Sequence, residues 1–243
     1  MIKTFSLTDI GKKRTMNQDF IFTSENPIGN LPNLFIVADG MGGYNGGDYA
    51  SSLACEVVKK SIAASQAKNP RDIFFEAISL ANETVLNKAS ETEDLNGMGT
   101  TIVIATIVGD ILHVANVGDS RLYIAGDSIR QITIDHSYVE EMIKVGSLSR
   151  DLARNHPQKN IITRAIGAEK NISPDFFTVR LNPGELILMC SDGLSNMIED
   201  DEMLLILKKK RDLAGKVEEL IKVANENGGK DNEAVIVIDP FAQ

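Results

Sequence analysis

The sequence predicts an α+β fold, with antiparallel strands and helices kept in separate stretches of chain. Three observations carry that prediction. Residues 101–108 and 111–117 are apolar, β-branched runs separated only by Gly109-Asp110, which is hairpin spacing. The device recurs at 121–125 and 128–133 around Gly126-Asp127, so the stretch reads as one antiparallel meander. Helical patterns lie outside this block and do not alternate with strands one for one, as a parallel sheet requires.

Taken in order, the chain has a strand at 33–38, then a helix marked by Tyr49, Leu53, Val57 and Ile62. Asn69-Pro70 supplies an N-cap and a first-turn proline for a second helix. Phe74, Ala77, Ile78, Ala81 and Val85 recur at the helical period and form its buried face. The first meander strands are apolar at successive positions, which predicts burial on both faces. An irregular insert follows at about 136–165, with a weak apolar pattern and Arg150, Arg154 and Arg164; it reads as a mobile surface segment covering something. Strands at 175–181 and 185–191 are joined by the turn Pro183-Gly184. Leu213, Val217, Leu220, Ile221 and Ala224 mark a late helix, and 233–238 is the last strand.

The 243 residues are 43% hydrophobic, too apolar for a disordered chain. Area scaling at this size buries about 72% of the unfolded surface, enough for one domain with a large core. No apolar run approaches the roughly 18 residues of a membrane helix, and the N-terminus shows no signal-peptide pattern. Two cysteines in apolar surroundings, Cys55 and Cys190, exclude a disulfide framework and fit a reducing cytoplasm. With 25 basic and 34 acidic residues, the net charge of −9 argues against nucleic-acid binding. Charge alone would discount any phosphate-bearing partner as well.

Several aspartates stand at strand ends beside glycine: Asp39-Gly40, Gly118-Asp119, Asp192-Gly193, and Asp231 in Gly228-Gly229-Lys230-Asp231-Asn232. Each pair alone is ordinary turn chemistry. Together they could form a carboxylate cluster, with the glycines letting a ligand or metal approach the backbone. Like charges at such distances cannot all ionise without a cation, and an all-oxygen set suits Mg²⁺ or Mn²⁺ rather than Zn²⁺. The glycine-rich stretch 39–47 follows a strand and opens a helix, but Asn45 and Asp48 break the dinucleotide and P-loop patterns. No G-x-S-x-G occurs, Cys190 lies within a strand, and His113 fits a core or surface role. His136 and His156 flank the insert, with a structural role the leading reading for each. Arg14 to Asp19 form a basic turn beside a strand, which also offers an arginine for a bidentate phosphate contact.

With these residues assembled, the sequence resembles the metal-dependent serine/threonine protein phosphatases of the protein phosphatase 2C family. Eight segments match in family order: 14–19, 37–43 (VADGMGG), 97–101 (GMGTT), 116–121 (NVGDSR), 135–137, 163–167 (TRAIG), 191–194 (SDGL) and 229–232 (GKDN). The short length and DGMGG form look like the compact bacterial branch. The resemblance implies a four-layer αββα sandwich over residues 1–243 as a single catalytic domain, with the insert as a flap beside the site. It implies two Mn²⁺ or Mg²⁺ ions, bridged by Asp39, with the Gly40 carbonyl, Asp192 and Asp231 as further ligands. Asp19 would act through a bound water, Asp119 would hold a third, weaker ion, and Arg14 would bind the substrate phosphate. The implied reaction is direct hydrolysis of phosphoserine and phosphothreonine in proteins, opposing a serine/threonine kinase, by a cytoplasmic monomer. A non-catalytic phosphoprotein-binding relative and a small-molecule phosphohydrolase are the alternatives.

Three departures from the family pattern stand out. Relatives carry a histidine where Tyr44 or Met41 stands here, so the loop assigns no general acid. Gln18 replaces a frequent glutamate. Glu233 follows Asn232, where the family usually has an apolar residue.

Overall fold

Two antiparallel sheets lie face to face in a computed structural model that describes residues 1–42, 46–91 and 93–242, and helices cover the outer face of each. In chain order the elements are β1 (Lys3–Asp9), β2 (Asp19–Ser24), β3 (Leu34–Met41), α1 (Gly46–Ala64), α2 (Pro70–Ala89), β4 (Gly99–Thr100), β5 (Ile102–Val108) and β6 (Ile111–Val117). Next come β7 (Arg121–Ala125), β8 (Ile129–Gln131), α3 (Tyr138–Lys144), α4 (Arg150–Ala153), β9 (Asp175–Arg180) and β10 (Leu186–Cys190). The chain closes with α5 (Asp192–Ser195), α6 (Asp200–Lys208), α7 (Leu213–Glu226) and β11 (Glu233–Asp239). One sheet has the order β1-β11-β10-β7-β8 and the other β2-β3-β5-β6-β9, with β4 paired to the end of β3.

The apolar side chains sort into three layers, and strand parity does the sorting. Phe35, Val37, Ile187, Met189, Ala234 and Ile236 meet between the sheets. Leu34, Ile36 and Ala38 point the other way, onto α1 and α2. Leu188, Cys190, Val235 and Val237 point outward from the second sheet, onto α5, α6 and α7. A strand buried on both faces has no polar side to alternate with, which explains the unbroken apolar runs. The four-layer αββα sandwich is therefore present.

Both predicted hairpins form, but they do not make one meander. β6 pairs with β5 and β9, whereas β7 pairs with β8 and β10. The chain changes sheets at Gly118-Asp119-Ser120. Hairpin spacing fixes only the local pair; the outer partner is chosen by β9 and β10, far along the chain. The Pro183-Gly184 turn likewise joins strands of different sheets. The sequence reading omitted β1, β2 and β4: the first two are half-exposed edge strands and the third is two residues long.

Asn69 caps α2 as expected, its side chain accepting from the Arg71 amide at 3.0 Å. In α1 the buried face is set by Ala50, Ala54, Cys55, Val58 and Ile62, while Tyr49 is 38% exposed. The small residues let α1 approach the sheet closely, and the bulky Leu53 and Val57 pack at its margin. The insert, expected to be irregular, contains the short helices α3 and α4. Ser137 caps α3 by accepting from the Glu140 amide.

Candidate functional site

Strand ends bring the predicted aspartates to one place. Asp19 begins β2 and stands directly opposite Asp39 in the β2–β3 register. Asp192 follows β10, and Asp231 precedes the adjacent β11. One sheet thus supplies Asp19 and Asp39, and the other supplies Asp192 and Asp231. Asp119 sits on the segment that crosses between them.

Close backbone approach makes this meeting possible. A Cβ on Gly193 would lie 1.9 Å from the Asn232 carbonyl oxygen. A Cβ on Gly40 would lie 1.9 Å from the Gly47 carbonyl oxygen and 2.7 Å from that of Gln18. The space beside these glycines is therefore filled by the protein's own backbone. Glycine here lets one acid-bearing loop lie against the next.

Asp39, Asp119, Asp192 and Asp231 line one cavity of about 250 Å³, together with Arg14, Gln18, Gly40 and Thr101. Burial lifts the Asp39 carboxyl well above its ordinary range, and the charges of Asp19, Asp192, Asp119 and Asp231 push it further. Burial and the Asp192 and Asp135 charges lift Asp119 in the same way. Asp192 rises to about 6 through burial and the Asp231 charge. Asp19 rises to about 7 through burial, against the pull of its Ser191 hydrogen bond. Carboxyls whose ionisation burial and neighbouring charges oppose would be stabilised by a cation among them.

Several of these acid-bearing segments are also held from behind. Ser191 donates to Asp19 Oδ2 at 2.6 Å, and its oxygen accepts from the Ala234 amide at 2.9 Å. Asn196 donates to Asp192 Oδ2 at 2.9 Å. The Asp39 amide donates to Thr101 Oγ1 at 3.0 Å. Asn232 ties three segments together: its Oδ1 accepts from the Gln18 amide, and its Nδ2 donates to the Ile10 and Met16 carbonyls. Gln18 therefore acts through its backbone, also accepting from Ser51 Oγ and the Gly40 amide. Ser191, Asn196 and Asn232 had no assigned role in the sequence reading, although two of them lie inside matched segments.

Arg14 reaches into the cavity and donates through Nη2 to Asp231 Oδ2 at 2.7 Å. Among the described residues, no three His, Cys, Asp or Glu side chains already converge as ligands on one point. The donor set nevertheless fits a hard divalent cation: it is all oxygen, and Asp19 Oδ1 is buried with no hydrogen-bond partner. Asp39, Asp192 and Asp231 are the residues that could hold it.

The remaining candidates are structural. His136 is buried, its Nδ1 accepting from the Gly118 amide at 3.1 Å and its Nε2 facing Asp175 at 3.1 Å. His156 closes a local turn, accepting from the Gln158 amide. His113 lies in β6 against Thr178. Arg121 forks onto Asp135 at 2.7 to 3.1 Å. Burial pushes the Cys190 thiol up, away from any nucleophilic form. Glu233 is fully buried, its carboxyl raised to about 8 by burial and by Asp9, with only a 3.4 Å contact from Asn225. Nothing in the structure explains a glutamate there. Tyr44 lies outside the described residues.

Comparison with known proteins converges on one group. Residues 11–234 match the family model of protein phosphatase 2C. The serine/threonine phosphatase stp of Listeria monocytogenes is 40% identical over 237 residues, covering 96% of this chain and 93% of that protein. The solved serine/threonine phosphatase of S. agalactiae superposes with a TM-score of 0.91 at 36% identity, covering 98% of this chain and 99% of the other. The catalytic domain of the serine/threonine protein phosphatase PstP, solved in complex with two manganese ions, superposes at 0.86 with 28% identity, covering 98% and 97%.

Proposed function

The chain belongs to the protein phosphatase 2C family, and from that premise we propose that it hydrolyses phosphoserine and phosphothreonine in proteins with the help of divalent cations. One observation carries the reading. Carboxyls from distant strand ends, 39, 119, 192 and 231, line one small cavity that also receives an arginine, and Asp19 lies paired with Asp39 behind them. Asp39, the Gly40 carbonyl, Asp192 and Asp231 are the proposed ligands of two Mn²⁺ or Mg²⁺ ions. Asp19 supports them through water, and Asp119 holds a weaker third ion.

The cations, when bound, supply positive charge against the phosphate oxygens and acidify a water that attacks phosphorus. The protein's own residues position the substrate. Arg14 presents a guanidinium fork to two phosphate oxygens, a geometry a lysine cannot offer. Hydroxyls near the cavity are already engaged: Thr101 accepts from Asp39 and pairs with Ser120, and Ser191 bonds Asp19 and Ala234. That supports direct transfer to water with no phosphoenzyme.

We further read residues 1–243 as one catalytic domain, with 136–165 as a flap beside the cavity. No described helix is long and apolar enough to cross a membrane. Two buried free cysteines fit a reducing cytoplasm, and we read the protein there as a monomer that reverses a serine/threonine kinase.

The test is phosphate release from phosphoserine and phosphothreonine peptides with added Mn²⁺, for wild type, Asp39→Asn and Asp231→Ala. Wild type should turn over and both variants should lose most activity, as should wild type in excess chelator. Full activity in chelator would refute the reading. Turnover of nucleotides but not phosphopeptides would move the protein to small-molecule hydrolysis, and no turnover at all to phosphoprotein binding.

A further inference from the structure

We propose that a second pocket, beside the carboxylate cavity, receives an apolar side chain of the phosphoprotein next to the phosphorylated residue. This inference rests on the reading of the chain as a protein phosphatase.

The pocket has a volume of about 530 Å³. Met41, Ile162, Ala165, Ala168 and Ile172 supply its apolar wall. Met41 and Ile162 also line the carboxylate cavity, so the two spaces share a wall. Adjacent residues of a peptide are one backbone step apart, about 3.3–3.8 Å. A substrate with its phosphate beside Arg14 therefore has a flanking side chain within reach of this pocket.

The pocket is nearly free of net charge. Arg164 lines it but is committed, its Nη1 donating to Asp175 Oδ1 at 3.0 Å and to the Ser173 carbonyl at 3.1 Å. Glu169 is the other charged lining residue. The cavity of about 420 Å³ that shares Asp119 and Asp192 with the centre differs sharply, with Asp135, Glu140, Arg150 and Arg154 also in its walls. An apolar flank is therefore favoured on one side of the phosphate and penalised on the other.

A mixed groove adjoins the pocket, its walls including the charged Arg71, Asp72 and Glu76. Ile172 and Ser173 line this groove of about 490 Å³, shared with Phe75 and Phe176. Phe75 is 50% exposed at that end.

The experiment uses phosphothreonine peptides carrying Leu, Glu or Lys next to the phosphorylated residue, on either side in turn. They are assayed with wild type, Ala168→Glu and Ala168→Lys, with an aryl phosphate as the flank-free substrate. Ala168 is exposed, so neither change buries a charge, and unfolding temperatures of the variants check this directly. Wild type should favour Leu on one side by about tenfold in kcat/KM, chiefly through KM. Ala168→Glu should lose that preference and gain on Lys peptides, and Ala168→Lys should do the reverse. Aryl phosphate turnover should stay unchanged in both. A flat wild-type profile, or variants that slow every substrate equally, would overturn the pocket while leaving the phosphatase reading intact. Aryl phosphate turnover with no phosphopeptide turnover would overturn both.

Discussion

Arg14 and Asp231, 217 residues apart, are joined by a 2.7 Å hydrogen bond from Nη2 to Oδ2. The arginine proposed to hold phosphate thus rests on a carboxylate proposed to hold a cation. A cation held by that oxygen would compete with the guanidinium and so free Arg14 to turn toward phosphate.

The first prediction concerns that competition. Arg14→Ala should lower kcat/KM for phosphopeptides about a hundredfold, the usual cost of one lost charge-stabilising donor. It should bind Mn²⁺ no more weakly than wild type, and more tightly if the pair competes as proposed. Titration calorimetry with Mn²⁺ alone reads the second effect. Weaker Mn²⁺ binding by the variant would show that the pair supports the site instead.

The crowding of acids gives a second. Asp39→Asn and Asp192→Asn each remove a charge that burial and neighbouring carboxylates oppose. In excess chelator each should raise the unfolding temperature by about 2–4 °C, which corresponds to roughly 1 kcal/mol at this size. The same variants should lose catalysis, an exchange of stability for function. Scanning calorimetry in chelator decides it, and a fall in both variants would contradict the electrostatic argument.

Gly193→Ala supplies a third. Its Cβ would meet the Asn232 carbonyl oxygen at 1.9 Å, so the loops carrying Asp192 and Asp231 must part. A loss of about 3 kcal/mol or more is expected, together with loss of Mn²⁺ binding. Gly109→Ala is the comparison: its φ is +64° but nothing lies within 4 Å of the new Cβ, so about 1 kcal/mol is expected. Denaturant midpoints rank the two.

A fourth prediction follows from the His136–Asp175–Arg164 cluster. Burial lowers the pKa of His136, more than Asp175 raises it. A neutral ring agrees with the geometry, because Nδ1 accepts the Gly118 amide proton and cannot carry its own. Burial works to raise Asp175, but the His136 hydrogen bond and Arg164 outweigh it and the net shift is downward. Both folded pKa values are depressed, so both contributions are present above the unfolded pKa and fade as pH falls. His136 acts first, from about pH 6.5 downward, and Asp175 follows below about pH 4. His136→Gln should flatten the fall in unfolding temperature between pH 6.5 and 5. An unchanged slope would exclude His136 as its source.

Much of this was legible in the chain. Apolar residues at successive positions in 101–108 can be accommodated only between two covered faces, and that is where β5 lies. Asp39 and Asp192 were visible because each ends an apolar strand beside a glycine. The sheet change at Gly118-Asp119 was not legible, because a hairpin pattern looks the same whichever sheet adopts it. Nor was the contact between Arg14 and Asp231, which no local pattern encodes. The helix α1 was legible from Tyr49, Leu53, Val57 and Ile62, but not the small residues Ala50 and Ala54 that set its closest approach to the sheet.

The strand order carries a last consequence. β11, the final strand, lies between β1 and β10 in the middle of its sheet, and Asp231 immediately precedes it. During synthesis the first strand must wait for the last before either is paired on that side. Until residues 233–239 clear the ribosome, the nascent chain has an open slot in one sheet and one acid missing from the cluster. Folding and catalytic competence therefore arrive together, once β11 has emerged, and a chain that stops short of β11 should be both aggregation-prone and inert.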